Sequence, residues 1–289
     1  MKILITGGNG MLGKTLQREL APKEIIAADL TQWDILGEEF AERVAEVKPE
    51  LIIHCAAMTN VDGCESNRDA AFRLNEDGSR NVALAAKMCG ARLIAISTDF
   101  VFSGEPPREP WAWSENDMPR PQTVYGMSKF AGETMVSMIY PEAVILRTGW
   151  LYGEDGRGFV NTMLRLGREA GPALRIVDDQ RGNPTSCKAL SDVIKFLISK
   201  PSVAGIVHGT CENQCSRYEL ACEIKRLCPD FVREIEPCTS DEFNAPAKRP
   251  RNSALKKSVL NLLGYRTPDW KTDLERFMNS VIQTKENHE

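Results

Sequence analysis

Met1–Leu20 reads MKILITGGNGMLGKTLQREL. Lys2–Thr6 is a short apolar strand. Gly7, Gly10 and Gly13 follow at Gly-x-x-Gly-x-x-Gly spacing, and Leu12, Leu16 and Leu20 share one helical face. A strand that turns through glycines into a helix brings backbone N–H groups and a positive helix end up to a pyrophosphate. The stretch therefore predicts a dinucleotide site, with the pyrophosphate at the glycine turn. Asp29 closes the next strand, about 20 residues on, where an acidic residue takes the adenosine ribose hydroxyls. Its charge repels a 2′-phosphate and favours NAD over NADP, while Lys14 nearby works the other way.

Outward from this stretch, short apolar runs alternate with helical segments. The predicted strands are 2–6, 24–29, 51–57, 93–98, 143–148 and 205–209. Runs such as Leu51-Ile52-Ile53 and Val144-Ile145-Leu146 are continuously apolar, as suits parallel strands covered on both faces. Residues 69–89 and 124–139 are predicted helices. The pattern predicts an α/β fold with a doubly wound parallel sheet. Residues 153–158 and 178–186 read as loops, and the chain beyond about 210 as mostly helical, with helices over 216–227 and 267–282. Ser216 and Glu219 fit a capping box. The expected division is a dinucleotide-binding domain (1–150 and about 176–209) and a smaller lobe (about 151–175 and 210–289) that takes the substrate.

With 289 residues the chain is long enough for a large core. A formal charge of −4 gives no general affinity for nucleic acid, and no run approaches the roughly 20 apolar residues that span a bilayer. Met1 leads straight into strand residues, so no signal peptide is expected. Nine scattered cysteines fit reduced thiols and a cytoplasmic location. Cys211–Cys238 contains no C-x-x-C pair, and no metal site is expected.

Tyr125 and Lys129 stand at i and i+4 on a predicted helix, which sets a phenol beside an ammonium. A nearby cation favours the phenolate and pulls its pKa down from about 10, which suits proton exchange with a carbonyl oxygen. Such a pair is also ordinary surface decoration. Ile96–Phe102 (ISTDFVF) closes an apolar strand at the end where α/β sheets bind ligands, and Thr98 and Asp99 could face a substrate there or only end the strand. Cys55–Thr59 closes another strand, with residues small enough for a flat ring to approach or simply to pack closely.

Taken together, these motifs resemble the extended short-chain dehydrogenase/reductases, and within them the dTDP-4-dehydrorhamnose reductase family. The resemblance runs over HCAAMTNVD (54–62), STDFVF (97–102), YGMSKFAGE (125–133), RTGWLYG (147–153), DQRGNPTS (179–186) and RPRNSAL (249–255). It implies an NADH- or NADPH-dependent reduction of the C4 keto group of a nucleotide-linked 6-deoxy-4-ketohexose, dTDP-4-dehydro-L-rhamnose giving dTDP-L-rhamnose. In that reading Gly10, Met11 and Leu12 contact the coenzyme pyrophosphate, Asp29 holds the adenosine ribose and Asp34-Ile35 lie at the adenine. Ala57, Met58, Thr59 and Ile96 line the nicotinamide side. Tyr125 is the general acid, Lys129 binds the nicotinamide ribose and tunes the tyrosine, Thr98 holds the C4 oxygen, and Trp150 packs on the sugar or nucleotide. A core role for Trp150 is the alternative.

Three positions depart from the family pattern. Phe100 replaces the usual Tyr, Gly149 the usual Ser, and Thr15 the Glu through which some members bind magnesium at a dimer. A homodimer remains compatible with the resemblance; that metal-linked one does not. The competing readings are an epimerase or epimerase–reductase using additional Cys and His acids, and a non-catalytic subunit like the regulatory subunit of methionine adenosyltransferase. Arg249 and Arg251 are candidates for a pyrophosphate contact, and Asn252 and Ser253 for helix caps.

Overall fold

The computed structural model describes residues 1–30, 33–105, 111–156, 158–243 and 245–286, with side chains to 281. Arg157, within one predicted loop, lies outside the described residues. The first half runs β1 (Lys2–Thr6), α1 (Met11–Glu19), β2 (Glu24–Ala28), α2 (Phe40–Val47), β3 (Leu51–His54), α3 (Val61–Ser66), α4 (Arg68–Phe72), a π-helical turn (Arg73–Asp77), α5 (Gly78–Cys89) and β4 (Arg92–Thr98). Then come α6 (Val124–Ile139), β5 (Val144–Thr148), β6 (Leu151–Tyr152), α7 (Phe159–Gly167), β7 (Leu174–Val177), β8 (Arg181–Gly182), β9 (Thr185–Ser186) and α8 (Cys187–Ile198). The chain ends with β10 (Gly205–His208), β11 (Cys215–Ser216), α9 (Arg217–Leu227), β12 (Ile235–Cys238), α10 (Ser240–Phe243), α11 (Ser258–Leu262) and α12 (Trp270–Glu286).

Six strands form one sheet in the order β10-β5-β4-β3-β1-β2, every pair parallel. The doubly wound expectation is met. The continuous apolar runs are buried on both faces: Ile3, Ile5, Ile53 and Leu146 pack against α1 and α8, while Leu4, Ile52 and Ile145 pack against α2 and α5. Strand order reverses beside β1, and the crevice between the ends of β1 and β3 is where such a sheet takes its ligand. A separate cluster holds Met163, Leu164, Leu220, Ile224, Trp270 and Leu274, from α7, α9 and α12.

Three elements differ from the sequence reading. β3 stops at His54, which frees residues 55–59 as a loop. The predicted helix over 69–89 carries the π-helical turn, one extra residue's worth of winding, beside α6. The region past 210 is less helical than expected, because β11 pairs with β8 and β12 with β7. Ser216 does cap α9: its hydroxyl accepts from Glu219 N–H at 3.0 Å, and Glu219 accepts from Ser216 N–H at 2.6 Å. No helix among the described residues is long and apolar enough to cross a membrane.

Candidate active site

The glycine loop turns at Gly7, whose φ of 69° lies in the left-handed region; a Cβ there would meet Ala56 N at 2.7 Å. Gly10 N–H donates to Gly7 carbonyl at 3.0 Å, and a Cβ on Gly13 would stand 2.4 Å from that same oxygen. The three glycines thus let helix α1 start tight against the end of β1. No side chain caps α1 and its first turn carries no acid, so its N–H groups are available to an anion. A pyrophosphate fits this cradle. Leu12 turns its side chain into the core, so it can offer only backbone here. Met11 packs under Gly153 and Gly156.

Asp29 lies just past β2 and accepts a hydrogen bond from the Asn9 amide. Lys14 pairs with Asp155 at 3.7 Å, and Arg18 with the same carboxylate at 2.9 Å. Asp34 is exposed and accepts from Leu36 N–H at 2.9 Å. Ile35 is buried between α2 and α5, with its side chain in the core rather than on a ligand surface.

Of the residues expected on the nicotinamide side, Met58 is held in a buried hydrogen-bonded unit. Asn75, wholly buried in the π-helical turn, accepts from Met58 N–H at 2.8 Å and donates to Met58 carbonyl at 3.2 Å and Ser128 Oγ at 2.9 Å. Ser79 Oγ gives its single proton to the Asn75 carbonyl at 2.6 Å. It must therefore accept from His54 Nε2–H at 3.2 Å, and His54 Nδ1 accepts from the Thr6 hydroxyl at 2.7 Å. Burial and the Lys129 charge push His54 down to about 3, so it stays neutral in this chain of bonds. Ala57 is half-buried and Thr59 exposed at the start of the same loop.

Tyr125 and Lys129 come from the first turns of α6, which Thr123 caps by accepting from Gly126 N–H at 3.0 Å. Tyr125 stacks edge-on to Phe100, ring centroids 5.7 Å apart, which sets it beside the Thr98 end of β4. Lys129 Nζ donates to Ile96 carbonyl at 2.9 Å. The structure therefore brings Ile96, Thr98, Tyr125 and Lys129 together. One expectation is corrected here. Burial pushes the Tyr125 phenol above its ordinary value and Asp99 adds to this, with only the Thr98 hydroxyl opposing; the Lys129 cation does not pull it down. The phenol is thus protonated at neutral pH, as a general acid requires. Lys129 itself is pushed down to about 8 by burial, against the charge of Glu133.

Asp99 follows Thr98 into the interior. Its carboxylate accepts from Ser253 Oγ and, at 3.1 Å, from Thr98 Oγ1; burial pushes it up to about 6. A Cβ on Gly149 would sit 2.6 Å from that carboxylate, so this glycine clears space for it. Ser253 is therefore not a helix cap, and neither is Asn252, which donates to Trp111 carbonyl at 2.9 Å and accepts from Ala254 N–H at 3.0 Å. Arg249 closes on Asp62 at 2.7 Å. Trp150 sits at φ 47°, and its ring carries the Arg217 guanidinium at 3.5 Å.

Sequence reasoning missed Asn75, Ser128, Arg217 and the buried trio Ser97–Glu133–Arg147, in which Glu133 accepts from Arg147 at 2.7 and 2.9 Å and from Ser97 at 2.5 Å. A polar Asn on an apolar helix face and a basic residue opening α9 against its dipole were the available signals. An epimerase–reductase would need Cys and His acids, for which His54 and His208, both buried, and Cys55, half-buried, are the candidates. Burial pushes the Cys55 thiol up to about 12 and His208 down to about 3, which leaves none of them suited to acid–base work near neutral pH.

Comparison with known proteins gives one answer. The family described as RmlD substrate binding domain matches residues 1–283. A dTDP-4-dehydrorhamnose reductase of Mycobacterium tuberculosis is 36% identical over 267 residues, 91% of this chain and 87% of that protein. The crystal structure of such a reductase from Clostridium acetobutylicum superposes with a TM-score of 0.92 at 41% identity, covering 97% of this chain and 99% of that one. The Bacillus anthracis reductase in complex with NADP gives a TM-score of 0.92 at 40% identity, covering 96% and 99%. With its glycine cradle, its Thr98–Tyr125–Lys129 cluster and these matches along nearly its whole length, the chain belongs to the dTDP-4-dehydrorhamnose reductase family.

Proposed function

We propose that this protein reduces dTDP-4-dehydro-L-rhamnose to dTDP-L-rhamnose, with NADPH or NADH as reductant. The observation that carries the reading is the cluster around Thr98: Tyr125 stacks edge-on to Phe100, two residues after it, and Lys129 Nζ donates to Ile96 carbonyl, two residues before it. The reduced nicotinamide, when bound, supplies a hydride to the sugar C4 carbon. Thr98 holds the C4 oxygen, and Tyr125 gives its proton to that oxygen as negative charge builds there. Lys129 holds the nicotinamide ribose. Asn75 fixes the Ala57–Thr59 loop, and α1 receives the pyrophosphate. Pre-alignment of these groups supplies much of the acceleration.

The balance between NADH and NADPH rests on Asp29, which is tied to Asn9, and on Lys14, which is engaged by Asp155. The solved Bacillus anthracis relative holds NADP, so both coenzymes are carried into the proposal. The sheet with its glycine loop (1–150 and about 176–209) takes the coenzyme. The lobe made of about 151–175 and 210–289 takes the nucleotide sugar, in the cytoplasm. A homodimer is proposed from the family resemblance, and mass photometry tests it.

The test is turnover of the dTDP-4-keto sugar with each coenzyme, in the parent and in Tyr125→Phe. The parent should oxidise one coenzyme per sugar reduced. Tyr125→Phe should keep coenzyme affinity and lose roughly 10²–10⁴-fold in kcat. A fully active Phe variant would remove Tyr125 from the mechanism, and a parent without turnover would leave the regulatory-subunit reading.

A further inference from the structure

We propose that Arg217 binds the diphosphate of the substrate and makes this site select nucleoside-diphosphate sugars. The inference rests on the nucleotide-sugar reading above and adds a recognition residue to it. Arg217 is the first residue of α9, where the helix dipole disfavours a cation. The guanidinium carbon stands over the Trp150 ring at 3.5 Å and over the Phe159 ring at 5.1 Å, so two rings hold its position.

Its charge is left open. Among the described residues its guanidinium donates no hydrogen bond and closes no ion pair, and only its backbone N–H is used, donating to Gln180 carbonyl at 3.3 Å. Its neighbours differ: Arg147 closes on Glu133 at 2.7 Å, Arg181 on Glu219 at 3.2 Å and Arg249 on Asp62 at 2.7 Å. Asp99 faces Arg217 and attracts it, but that carboxylate is already taken by Thr98 and Ser253. Burial pushes Arg217 down to about 10, which still leaves it charged at neutral pH. A half-buried guanidinium with five unused donors calls for an oxygen-rich acceptor.

The position says which acceptor. Thr98 and Thr148 are register partners on β4 and β5, so Trp150 stands two residues beyond the catalytic threonine's neighbour. Arg217 stands over Trp150 and within electrostatic reach of Asp99, the residue after Thr98, so it borders the same end of the sheet. Phe159, beneath it, opens α7, whose Gly158 cap contributes no side chain and whose first turn carries no acid. A 6-deoxy-4-ketohexose has no negative group of its own; the only anion on the substrate is its diphosphate. A diphosphate presents paired oxygens that match the fork of an arginine.

Titration calorimetry of dTDP and of thymidine into the enzyme saturated with NADP⁺ tests the assignment. Arg217→Met keeps an extended side chain on Trp150 and removes the charge; Arg217→Lys restores it. In the parent, dTDP should bind more tightly than thymidine. Arg217→Met should lose 10- to 100-fold in dTDP affinity, keep thymidine affinity, and raise KM for the keto sugar with kcat nearly unchanged; Arg217→Lys should recover part of the loss. Unchanged dTDP affinity in the Met variant overturns the assignment while the function stands. An equal loss for thymidine also overturns it, in favour of a packing role. A parent that binds neither dTDP nor thymidine overturns the nucleotide-sugar reading itself, and this inference with it.

Discussion

The side-chain amide of Asn75 bonds both the N–H and the carbonyl of Met58, accepting at 2.8 Å and donating at 3.2 Å, and reaches Ser128 at 2.9 Å with the same nitrogen. Ser128 in turn donates to Tyr125 carbonyl at 2.9 Å. One buried amide therefore couples the Ala57–Thr59 loop to the helix that carries Tyr125. The π-helical turn is what aims it, and Gly132 on α6 lets the two elements close; a Cβ there would stand 2.3 Å from Asn75 carbonyl.

Asn75→Ala removes three hydrogen bonds and leaves buried polar groups unpaired. The expected cost is roughly 2–4 kcal/mol, read from urea denaturation. Coenzyme affinity should fall about tenfold or more as the loop loosens, a factor of ten being roughly 1.4 kcal/mol. Parent-like NADPH binding in a fluorescence titration would show that the loop is held by other contacts.

The sheet was legible because its strands are buried on both faces and so are apolar without interruption, as in Leu51-Ile52-Ile53. The glycine loop was legible because a tight turn admits few residues, and Tyr125–Lys129 because helical spacing alone puts them on one face. Arg217, Ser253 and Asp99 were not legible as a group. They stand far apart in sequence and meet only once β8 pairs with β11 and residues 249–255 fold across the end of the sheet. Nor does spacing report burial, and burial decides that the Tyr125 phenol goes up rather than down.

Lys129 gives a pH signature in the coenzyme-free protein. Burial lowers it from 10.5 to about 8, so between these values the unfolded chain holds a proton that the folded one has released. Stability then rises with pH across that window and is lost again as pH falls through 8. The difference is about 3 kcal/mol at 1.36 kcal/mol per pKa unit. Lys129→Met should therefore raise the melting temperature at pH 7, lose most activity, and gain nothing at pH 10.5. A destabilised Met variant at pH 7 would mean that the bond to Ile96 outweighs the buried charge.

Glu133 on α6 and Arg147 on β5 form an ion pair with side chains 5% and 1% exposed, joining the helix of Tyr125 and Lys129 to the sheet. Removing one partner strands the other charge in the interior. Glu133→Gln should cost about 3–5 kcal/mol by chemical denaturation. The Ser97 hydroxyl, which donates to the same carboxylate at 2.5 Å, loses its charged acceptor as well. The double variant Glu133→Leu/Arg147→Met removes both charges together and should recover most of that stability. Activity should not follow stability, because Glu133 also opposes the burial that lowers Lys129. Without that carboxylate the lysine loses its proton more readily, and the alkaline limb of the kcat profile should move to lower pH in the double variant. A parent-like profile in a well-folded double variant would confine the pair to a packing role.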